Sequence, residues 1–281
     1  MAAYLSSSKM IFSPMENDKT DRKNITEKER HLLETNQDGP ALKLETIAIG
    51  HHNIRLNVAT WGSALGERIW PLAKVLCSYL YLRHDVMRGV ASLLELGAGT
   101  GLVGILASRI SHIPGRSVLL TDQDTRVKRL LHMNIAENFT DLADRPRCAH
   151  LKWGEGLDQF EATHGTFDLI LGSDLLYTRC ACLPLFQTVG KLLDKKPSSL
   201  FLLAHRERRT KLKRYIYQHS KICGLTCREI PLGDLPECLE LTRKMDEVWY
   251  EANGAALCKP SCIFEFRWNL IGRNITEHTT I

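Results

Sequence analysis

The sequence predicts an α/β fold, a doubly wound parallel sheet with helices on both of its faces. Short apolar runs such as Leu93–Leu96 alternate along the chain with longer stretches in which apolar residues recur at helical spacing, a pattern typical of parallel sheets. The 281 residues, 44% of them hydrophobic, are enough to bury the core of one such domain. We therefore expect a single domain over residues 41–281, preceded by a flexible extension at residues 1–40, which are polar and lack periodicity.

The first elements are expected to be a hairpin and a helix. Glu45–Ile49 and Asn53–Ala59 are short β-prone pieces separated by a turn that begins with Gly50. Apolar residues then recur at helical spacing over Ile69–Leu82, where Pro71 is tolerated because it stands near the helix start. This helix would lead into the first strand of the sheet.

Strands and helices then alternate to the end of the sheet. The helix expected at Leu102–Arg109 has apolar residues at helical spacing, and the one at Asp124–Asn138 has them on one face. Two further helices are expected at Cys182–Leu193 and Leu212–Cys223. The predicted strands are Val118–Asp122, Cys148–Trp153, Phe167–Ser173 and Leu200–Ala204, followed by a final pair, Leu225–Ile230 and Cys262–Trp268.

Composition narrows the class of protein. The net charge of +5, from 37 basic and 32 acidic side chains, is compatible with an acidic protein partner or with RNA and requires neither. Nine cysteines without a recognisable secretory signal indicate reduced thiols, so we expect the protein in the cytoplasm, with the nucleus as a further location. We also expect it to be a monomer. The apolar runs are too short to cross a bilayer, and no close cysteine pair has zinc-site spacing; neither a membrane nor a metal is expected.

The most informative feature is a glycine turn between a strand and a helix. Gly97, Gly99 and Gly101 occupy alternate positions directly after the apolar run, and glycine lets the backbone turn tightly and approach a ligand closely. Dinucleotide folds use GxGxxG, whereas the third position of that pattern is Leu102 here. Glu95 would repel a phosphate and suits a positively charged cofactor. The turn therefore predicts a site for an adenine nucleoside without a pyrophosphate.

Three side chains are candidates for holding that nucleoside. Asp122 ends a strand at the same sheet edge, where its carboxylate can accept hydrogen bonds from ribose hydroxyls; alternatively it caps the following helix, for which Asp124 is the better candidate. Trp153 follows the next strand and can stack on adenine or fill the core. Trp70, at a helix start, can shield the tail of the cofactor or pack on the hairpin, and its spacing favours neither.

A second group of candidates follows the fourth strand of the sheet, which ends at Ser173. Asp174 and Tyr177 come directly after it, at the edge where an acceptor must approach the cofactor. A carboxylate there can orient an amine and help to remove its proton, and a tyrosine ring can attract a cation as a channel wall. In the alternative interpretation, Asp174 caps the next helix and Tyr177 packs on it.

These motifs, in this order and spacing, resemble the seven-strand, Rossmann-like methyltransferases that use S-adenosylmethionine (AdoMet). Among them, the chain is most similar to the methyltransferase-like family sixteen protein-lysine methyltransferases, over about residues 44–232. The resemblance implies AdoMet as the cofactor and a DxxY motif formed by Asp174 and Tyr177. The long N-terminal extension and segment 236–259 depart from the family. The cofactor contacts implied by the resemblance are Trp70, Gly97, Ala98, Gly99, Asp122, Trp153 and Ser173.

The sequence thus predicts an AdoMet-dependent protein N-methyltransferase that acts on a lysine side chain. The basic run over residues 205–214 can grip an acidic protein surface or a phosphate backbone, although such runs are more often solvated helix faces. Leu175 and Leu176 replace the prolines of the loop that clamps adenine in base-methylating enzymes, which disfavours a nucleobase acceptor. An RNA or small-molecule methyltransferase and a non-catalytic AdoMet-binding module remain as alternatives.

Overall fold

A computed structural model describes residues 41–60, 65–207, 212–232, 235–241, 243 and 261–269. The predicted N-terminal extension, part of the basic run and most of segment 236–259 lie outside these residues. The described residues form a two-stranded hairpin and a seven-stranded sheet, as predicted. No helix within these ranges combines the length and the apolar character needed to span a membrane.

The predicted elements are present in the expected order. The hairpin consists of β1 (Leu42–Ile49) and β2 (His52–Ala59). The helices are α1 (Pro71–Leu82), α2 (Leu102–Ile110), α3 (Thr125–Asn138), α4 (Leu157–His164), α5 (Cys182–Leu192) and α6 (Lys213–Ile222). The strands of the large sheet are β3 (Leu93–Leu96), β4 (Val118–Asp122), β5 (Arg147–His150), β6 (Leu169–Ser173), β7 (Leu200–Arg206), β8 (Leu225–Ile230) and β9 (Ser261–Trp268).

The strand order of the large sheet is β5-β4-β3-β6-β7-β9-β8. The five strands from β5 to β7 pair in parallel, whereas β9 runs antiparallel to both β7 and β8. The chain leaves β3 toward β4 and β5 and then returns to the other side of β3 with β6. Ligands in such sheets bind outside the carboxyl ends of the strands at this reversal, so the topology places a site beside the glycine turn that follows β3.

Successive side chains of the central strands enter two separate cores, one on each face of the sheet. Leu93 packs in the core that includes α1, α2 and one face of α3. Leu94, the next residue, packs with α4, α5 and α6 on the opposite face. Because side chains alternate along a strand, the continuous apolar runs of the sequence are covered on both sides, as expected for a buried parallel sheet.

The hairpin packs on the helices of the first core. Ile54 and Leu56 of β2 are fully buried there. The guanidinium group of Arg109 in α2 connects the hairpin to α3. It donates to the backbone oxygen of Asn53 in β2 at 2.8 Å and to that of Asn138 in α3 at 2.7 Å. The hairpin is therefore fixed to both α2 and α3.

The structure corrects several of the predicted boundaries. The third strand was expected at Cys148–Trp153 but ends at His150, because the chain turns at Gly154, which has a φ of 79°. Phe167 precedes β6 and forms only an isolated bridge with Leu193. Helix α4 was not predicted; among its side chains only that of Phe160 is buried, so its apolar periodicity is weak. The final strand pair was predicted, but its second member inserts between β7 and β8.

The basic run is also organised differently from the favoured interpretation. His205 and Arg206 are not on a solvated helix face; they extend β7 and are buried. The Nε atom of Arg206 donates to the hydroxyl of Ser261 at 3.2 Å, which links β7 to β9. Within the described part of the run, Lys213 and Arg214 lie in a helix, at the start of α6.

Candidate active site

A cavity of about 650 Å³ opens at the carboxyl ends of β3, β4 and β6, within the usual size range of small-molecule sites. Every residue predicted from the sequence to contact the cofactor or the acceptor lines this cavity, with the exception of Gly101. The ten lining residues that were predicted are Trp70, Glu95, Gly97, Ala98, Gly99, Asp122, Trp153, Ser173, Asp174 and Tyr177.

The glycine turn forms the floor of the cavity. Gly97, Gly99 and Gly101 have positive φ angles of 58°, 54° and 84°, a conformation that side chains disfavour. A Cβ atom at Gly99 would stand 3.0 Å from the carbonyl oxygen of Gly66. Gly101 lies behind the cavity, where a Cβ atom would overlap Leu131 of α3. It packs the turn on α3 and is the N-cap residue of α2, and its predicted contact with the cofactor stays a prediction.

Asp122 links the glycine turn to the start of α3. One carboxylate oxygen accepts the N–H of Gly99 at 3.2 Å, and the other accepts the N–H of Asp124 at 3.0 Å. Burial raises the pKa of Asp122, although these backbone hydrogen bonds act in the opposite direction. The helix cap is Asp124, which accepts the N–H of Arg126 at 2.8 Å. Asp124 rather than Asp122 therefore caps α3. Asp122 lines the cavity, and its predicted ribose contact stays a prediction.

Glu95 lies deeper, at the end of β3. It is 2% exposed, and its Oε2 atom accepts the N–H of Gly104 at 2.9 Å near the start of α2. Burial raises the pKa of Glu95 to about 8, and the hydrogen bond from Gly104 opposes this shift. The contact that the structure shows for Glu95 is thus one that fixes α2, and its predicted attraction to a positively charged cofactor stays a prediction.

The part of the cavity that is predicted to hold adenine lies after β5 and β6. Trp153 is half-buried, follows the short strand β5 and lines the cavity beside Leu151 and Lys152. Ser173 ends β6 and is also half-buried. An indole in this position presents a flat apolar surface to a base, and such stacking contributes about 1–3 kcal/mol.

Trp70 and Tyr177 form an aromatic pair at the cavity. Their ring centroids are 6.3 Å apart and the rings are inclined at 62°, which is the favourable edge-to-face arrangement. The indole N–H of Trp70 donates to the carbonyl oxygen of Leu65 at 2.7 Å. Trp70 thus contacts Tyr177 at the cavity, and its predicted role in shielding the tail of the cofactor stays a prediction.

Asp174 has an unusual backbone conformation. Its φ is 55°, and no other described residue apart from glycines has a positive φ. Its N–H donates to the carbonyl oxygen of Ala204 at 2.9 Å, and the residue is 4% exposed. Such conformations cost about 1–3 kcal/mol and cluster at functional sites. Asp174 does not cap a helix, because α5 begins only at Cys182.

Sequence reasoning missed two parts of the cavity wall. The first is a 3₁₀ turn at Leu65–Glu67, which covers the glycine turn through the approach of Gly66 to Gly99. The exposed side chain of Arg68 follows and lines the cavity. The second lies after Tyr177 and includes Thr178, Cys180, Ala181 and Pro184. The glycine four residues before Trp70 was the available signal for the first part.

The chemistry of these residues fits AdoMet. Asp122 offers acceptors for ribose hydroxyls, Trp153 offers a surface for adenine, and the exposed guanidinium of Arg68 suits a carboxylate. Two buried carboxyl groups, those of Glu95 and Asp174, also line the cavity. Among the residues described by the structure, no group of three or more metal-binding side chains comes together.

Comparison with known proteins decides the family. The family model described as lysine methyltransferase matches residues 51–221, which is more than half of the chain. The chain belongs to the lysine methyltransferase family. The match extends from the hairpin turn through the glycine turn and the DxxY motif to the end of α6. As a member of this family, the chain uses AdoMet as its cofactor.

Individual relatives agree with this assignment. The chain is 34% identical to the protein N-lysine methyltransferase METTL21A of Mus musculus over 166 residues, which are 59% of this chain and 72% of that protein. It is 35% identical to METTL21A of Xenopus tropicalis over 159 residues, 56% of this chain and 68% of that one. Family and relatives thus agree on AdoMet-dependent protein-lysine methylation.

A solved structure supports the fold. The 16S rRNA N2 G1207 methyltransferase RsmC of T. Thermophilus, in complex with AdoMet and guanosine, superposes with a TM-score of 0.52 at 13% identity. The similarity covers 80% of this chain and 50% of that one. The large sheet is therefore the Rossmann-like sheet of the methyltransferases, as the resemblance in the sequence implied.

Proposed function

We propose that this lysine methyltransferase holds AdoMet over the glycine turn and methylates a lysine of a partner protein that enters beside Asp174 and Tyr177. The observation that carries the proposal is that one cavity contains both groups of residues. The glycine turn and Asp122 form one side of it, and the strained Asp174 forms the other. Cofactor and acceptor can therefore meet without movement of the sheet.

The chain's own residues supply orientation and proton transfer. Bound AdoMet supplies an electrophilic methyl group on a positively charged sulfur. The carboxylate of Asp174 orients the lysine ammonium and helps to remove its proton, because only the neutral amine has a lone pair with which to attack. Correct positioning of two reactants can contribute about 7–11 kcal/mol to lowering the barrier. The positive φ of Asp174 aims its carboxylate from a fixed backbone position.

The aromatic pair is proposed to form the acceptor channel. Tyr177 and Trp70 present ring surfaces to a cation, and cation–π attraction contributes about 0.5–2 kcal/mol depending on desolvation. The hydrogen bond from the indole of Trp70 to Leu65 fixes one of these rings. The edge-to-face contact then restrains the other ring, so that the channel is shaped before the lysine enters.

The decisive experiment is label transfer from radioactive AdoMet in a lysate, followed by mass spectrometry of the labelled residue. We expect the label on a lysine of a protein, and no label when the Asp174→Asn variant replaces the wild type. Label in RNA or in a small molecule would favour those alternative activities. AdoMet binding by calorimetry without any label transfer would favour a non-catalytic binding module.

We further propose that the partner presents an acidic surface. The charge of +5 supports this, as do exposed basic side chains close to the acceptor side of the cavity. Arg179 follows Tyr177 by two residues, and its guanidinium lies 5.3 Å from the ring centroid of Tyr215 in α6. The exposed Arg214 is the neighbour of Tyr215. Arg214→Glu should raise the KM for the protein substrate and leave the Kd for AdoMet as in the wild type. If the KM for the protein substrate stays the same, the partner does not bind through an acidic surface at this position.

The proposed location is the cytoplasm, with the nucleus in addition, and the proposed state is a monomer. All eight cysteines within the described residues are free thiols, which supports a reducing compartment. Microscopy of a fluorescent fusion tests the location, and light scattering of the purified protein tests the oligomeric state. A secreted protein or a stable dimer would contradict these proposals.

A further inference from the structure

We propose that Asn134 is a positioning residue that connects the N-terminal hairpin to the cofactor turn. It lies in α3, is fully buried and does not line the cavity. Its side chain bonds to two segments that are far apart in the sequence, Asn57 of the hairpin and Thr100 of the glycine turn. The hairpin would thereby be joined, through one side chain, to the turn that holds AdoMet.

The amide of Asn134 uses all of its hydrogen-bonding capacity. Its Nδ2 atom donates to the carbonyl oxygen of Thr100 at 2.9 Å and to that of Asn57 at 3.2 Å. Its Oδ1 atom accepts the backbone N–H of Asn57 at 2.7 Å and the side-chain amide of the same residue at 3.1 Å. Four bonds from one buried side chain leave it a single orientation.

The bond to Thr100 complements the one made by Glu95. At the start of α2, the N–H of Gly104 donates to Glu95 instead of to a backbone carbonyl. The carbonyl of Thr100, four residues earlier, accepts from Asn134. Two side chains, one from β3 and one from α3, thus satisfy the backbone groups where the glycine turn enters the helix. Loss of either partner would leave a buried backbone group unpaired.

Contacts of α3 with the turn add a second restraint. Leu131, three residues before Asn134, fills the space beside Gly101 so closely that a Cβ atom there would overlap it. The N–H of Gly99 is held by Asp122, which ends β4 three residues before α3 begins. Side chains of α3 therefore contact Thr100 and Gly101, a side chain of β4 holds Gly99, and Asn134 connects the turn to β2.

Asn138 provides a matched control one helical turn further along. It is also a buried asparagine of α3 and bonds the hairpin in the same way. Its Oδ1 accepts the N–H of Arg55 at 3.0 Å, and its Nδ2 donates to the carbonyls of Arg55 and Asn134 at 2.6 and 2.7 Å. Asn138 thus holds the hairpin as Asn134 does, but its bonds do not include the glycine turn.

The test compares Asn134→Ala with Asn138→Ala in the full chain. Both variants should lose stability in urea unfolding. We expect Asn134→Ala to raise the Kd for AdoMet by about ten-fold, the effect of one lost hydrogen bond, and to raise the KM for AdoMet with little change in kcat. Asn138→Ala should leave the Kd within about two-fold. Equal effects of the two variants on the Kd, or no effect of Asn134→Ala, would overturn the inference.

A second pair of variants covers failure to fold. Asn134→Ser and Asn138→Ser remove the amide without placing a charge beside the carbonyl oxygens that it contacts. The same comparison of Kd values then decides. The inference rests on AdoMet occupying the cavity proposed above. That occupancy is tested separately by the binding of AdoMet to the wild type and by the loss of binding in Asp122→Ala. If Asp122→Ala raises the Kd for AdoMet and the Asn134 variants do not, only the positioning role of Asn134 is refuted.

Discussion

Gly66 packs directly on Gly99, so that a Cβ atom at Gly99 would stand 3.0 Å from the carbonyl oxygen of Gly66. Two glycines distant in the sequence thus allow the 3₁₀ turn at Leu65–Glu67 to cover the glycine turn. The same segment continues to Trp70, whose indole bonds back to Leu65 at 2.7 Å. One short segment therefore both covers the cofactor turn and positions an aromatic wall of the proposed acceptor channel.

The first prediction concerns this contact. Gly99→Ala should weaken AdoMet binding by at least about ten-fold, because the backbone oxygen of Gly66 cannot move aside as the end of a flexible side chain could. Gly165→Ala is the matched control. Gly165 also has a positive φ, of 77°, but a Cβ atom there meets no atom within 4 Å. Both variants should lose about 1–2 kcal/mol of stability from the unfavourable φ, and calorimetry with AdoMet should separate them. Equal Kd values would contradict the proposed close packing.

The second prediction concerns the ribose role of Asp122. Asp122→Ala should reduce AdoMet affinity by more than about ten-fold, because it removes a charged acceptor. Asp141→Ala is the control, since Asp141 accepts the N–H of Ala143 at 2.8 Å, just as Asp122 accepts that of Asp124. This second aspartate makes the same local turn away from the cavity. Calorimetry should show normal affinity for Asp141→Ala, and unchanged affinity in Asp122→Ala would refute the ribose contact.

The third prediction addresses the chemistry at Asp174. Asparagine tolerates a positive φ, so Asp174→Asn should fold normally, yet its neutral amide cannot take part in removing the lysine proton. Methyl transfer should fall by about 10²–10⁴-fold in kcat, while the Kd for AdoMet stays close to that of the wild type. Thermal unfolding serves as the folding control. Full activity of Asp174→Asn in the label-transfer assay would remove this residue from the mechanism.

Sequence patterns located most of the fold because apolar spacing reports burial. Val118–Asp122 was predicted with both boundaries correct, since its apolar side chains enter two cores. Helix α4 was missed because it buries little more than Phe160. The prediction for β5 was too long at its end, because the apolar Leu151 and Trp153 line the cavity after the strand has ended.

The composition of the site was predictable where a motif brings residues together in the sequence. The glycine turn and the DxxY segment are of this kind. The contact of Gly66 with Gly99 and the bonds of Asn134 join distant segments, and no local pattern reports them. Glu95 combines both cases. Its position next to the turn is evident from the sequence, whereas its hydrogen bond to Gly104 depends on the direction in which α2 leaves the turn.

The fourth prediction follows from the raised pKa of Glu95. The carboxyl group is buried, and its pKa rises from an ordinary value near 4.5 to about 8 in the folded chain. Between these values the folded state binds more protons than the unfolded state, so stability falls as pH rises. The favourable contribution is complete below pH 4.5 and is lost as pH rises through about 8. Glu95→Gln keeps an acceptor for Gly104 but does not titrate.

Urea unfolding at several pH values checks this prediction. The free energy of unfolding of Glu95→Gln should increase relative to that of the wild type as pH rises. The difference should grow by up to about 1.4 kcal/mol per pH unit in the range where the folded wild type binds one proton more than the unfolded chain. Other titrating groups are common to both proteins and cancel in the difference. Parallel pH profiles would show that Glu95 ionises at an ordinary pH, and that α2 is then held by a carboxylate rather than by a protonated acid.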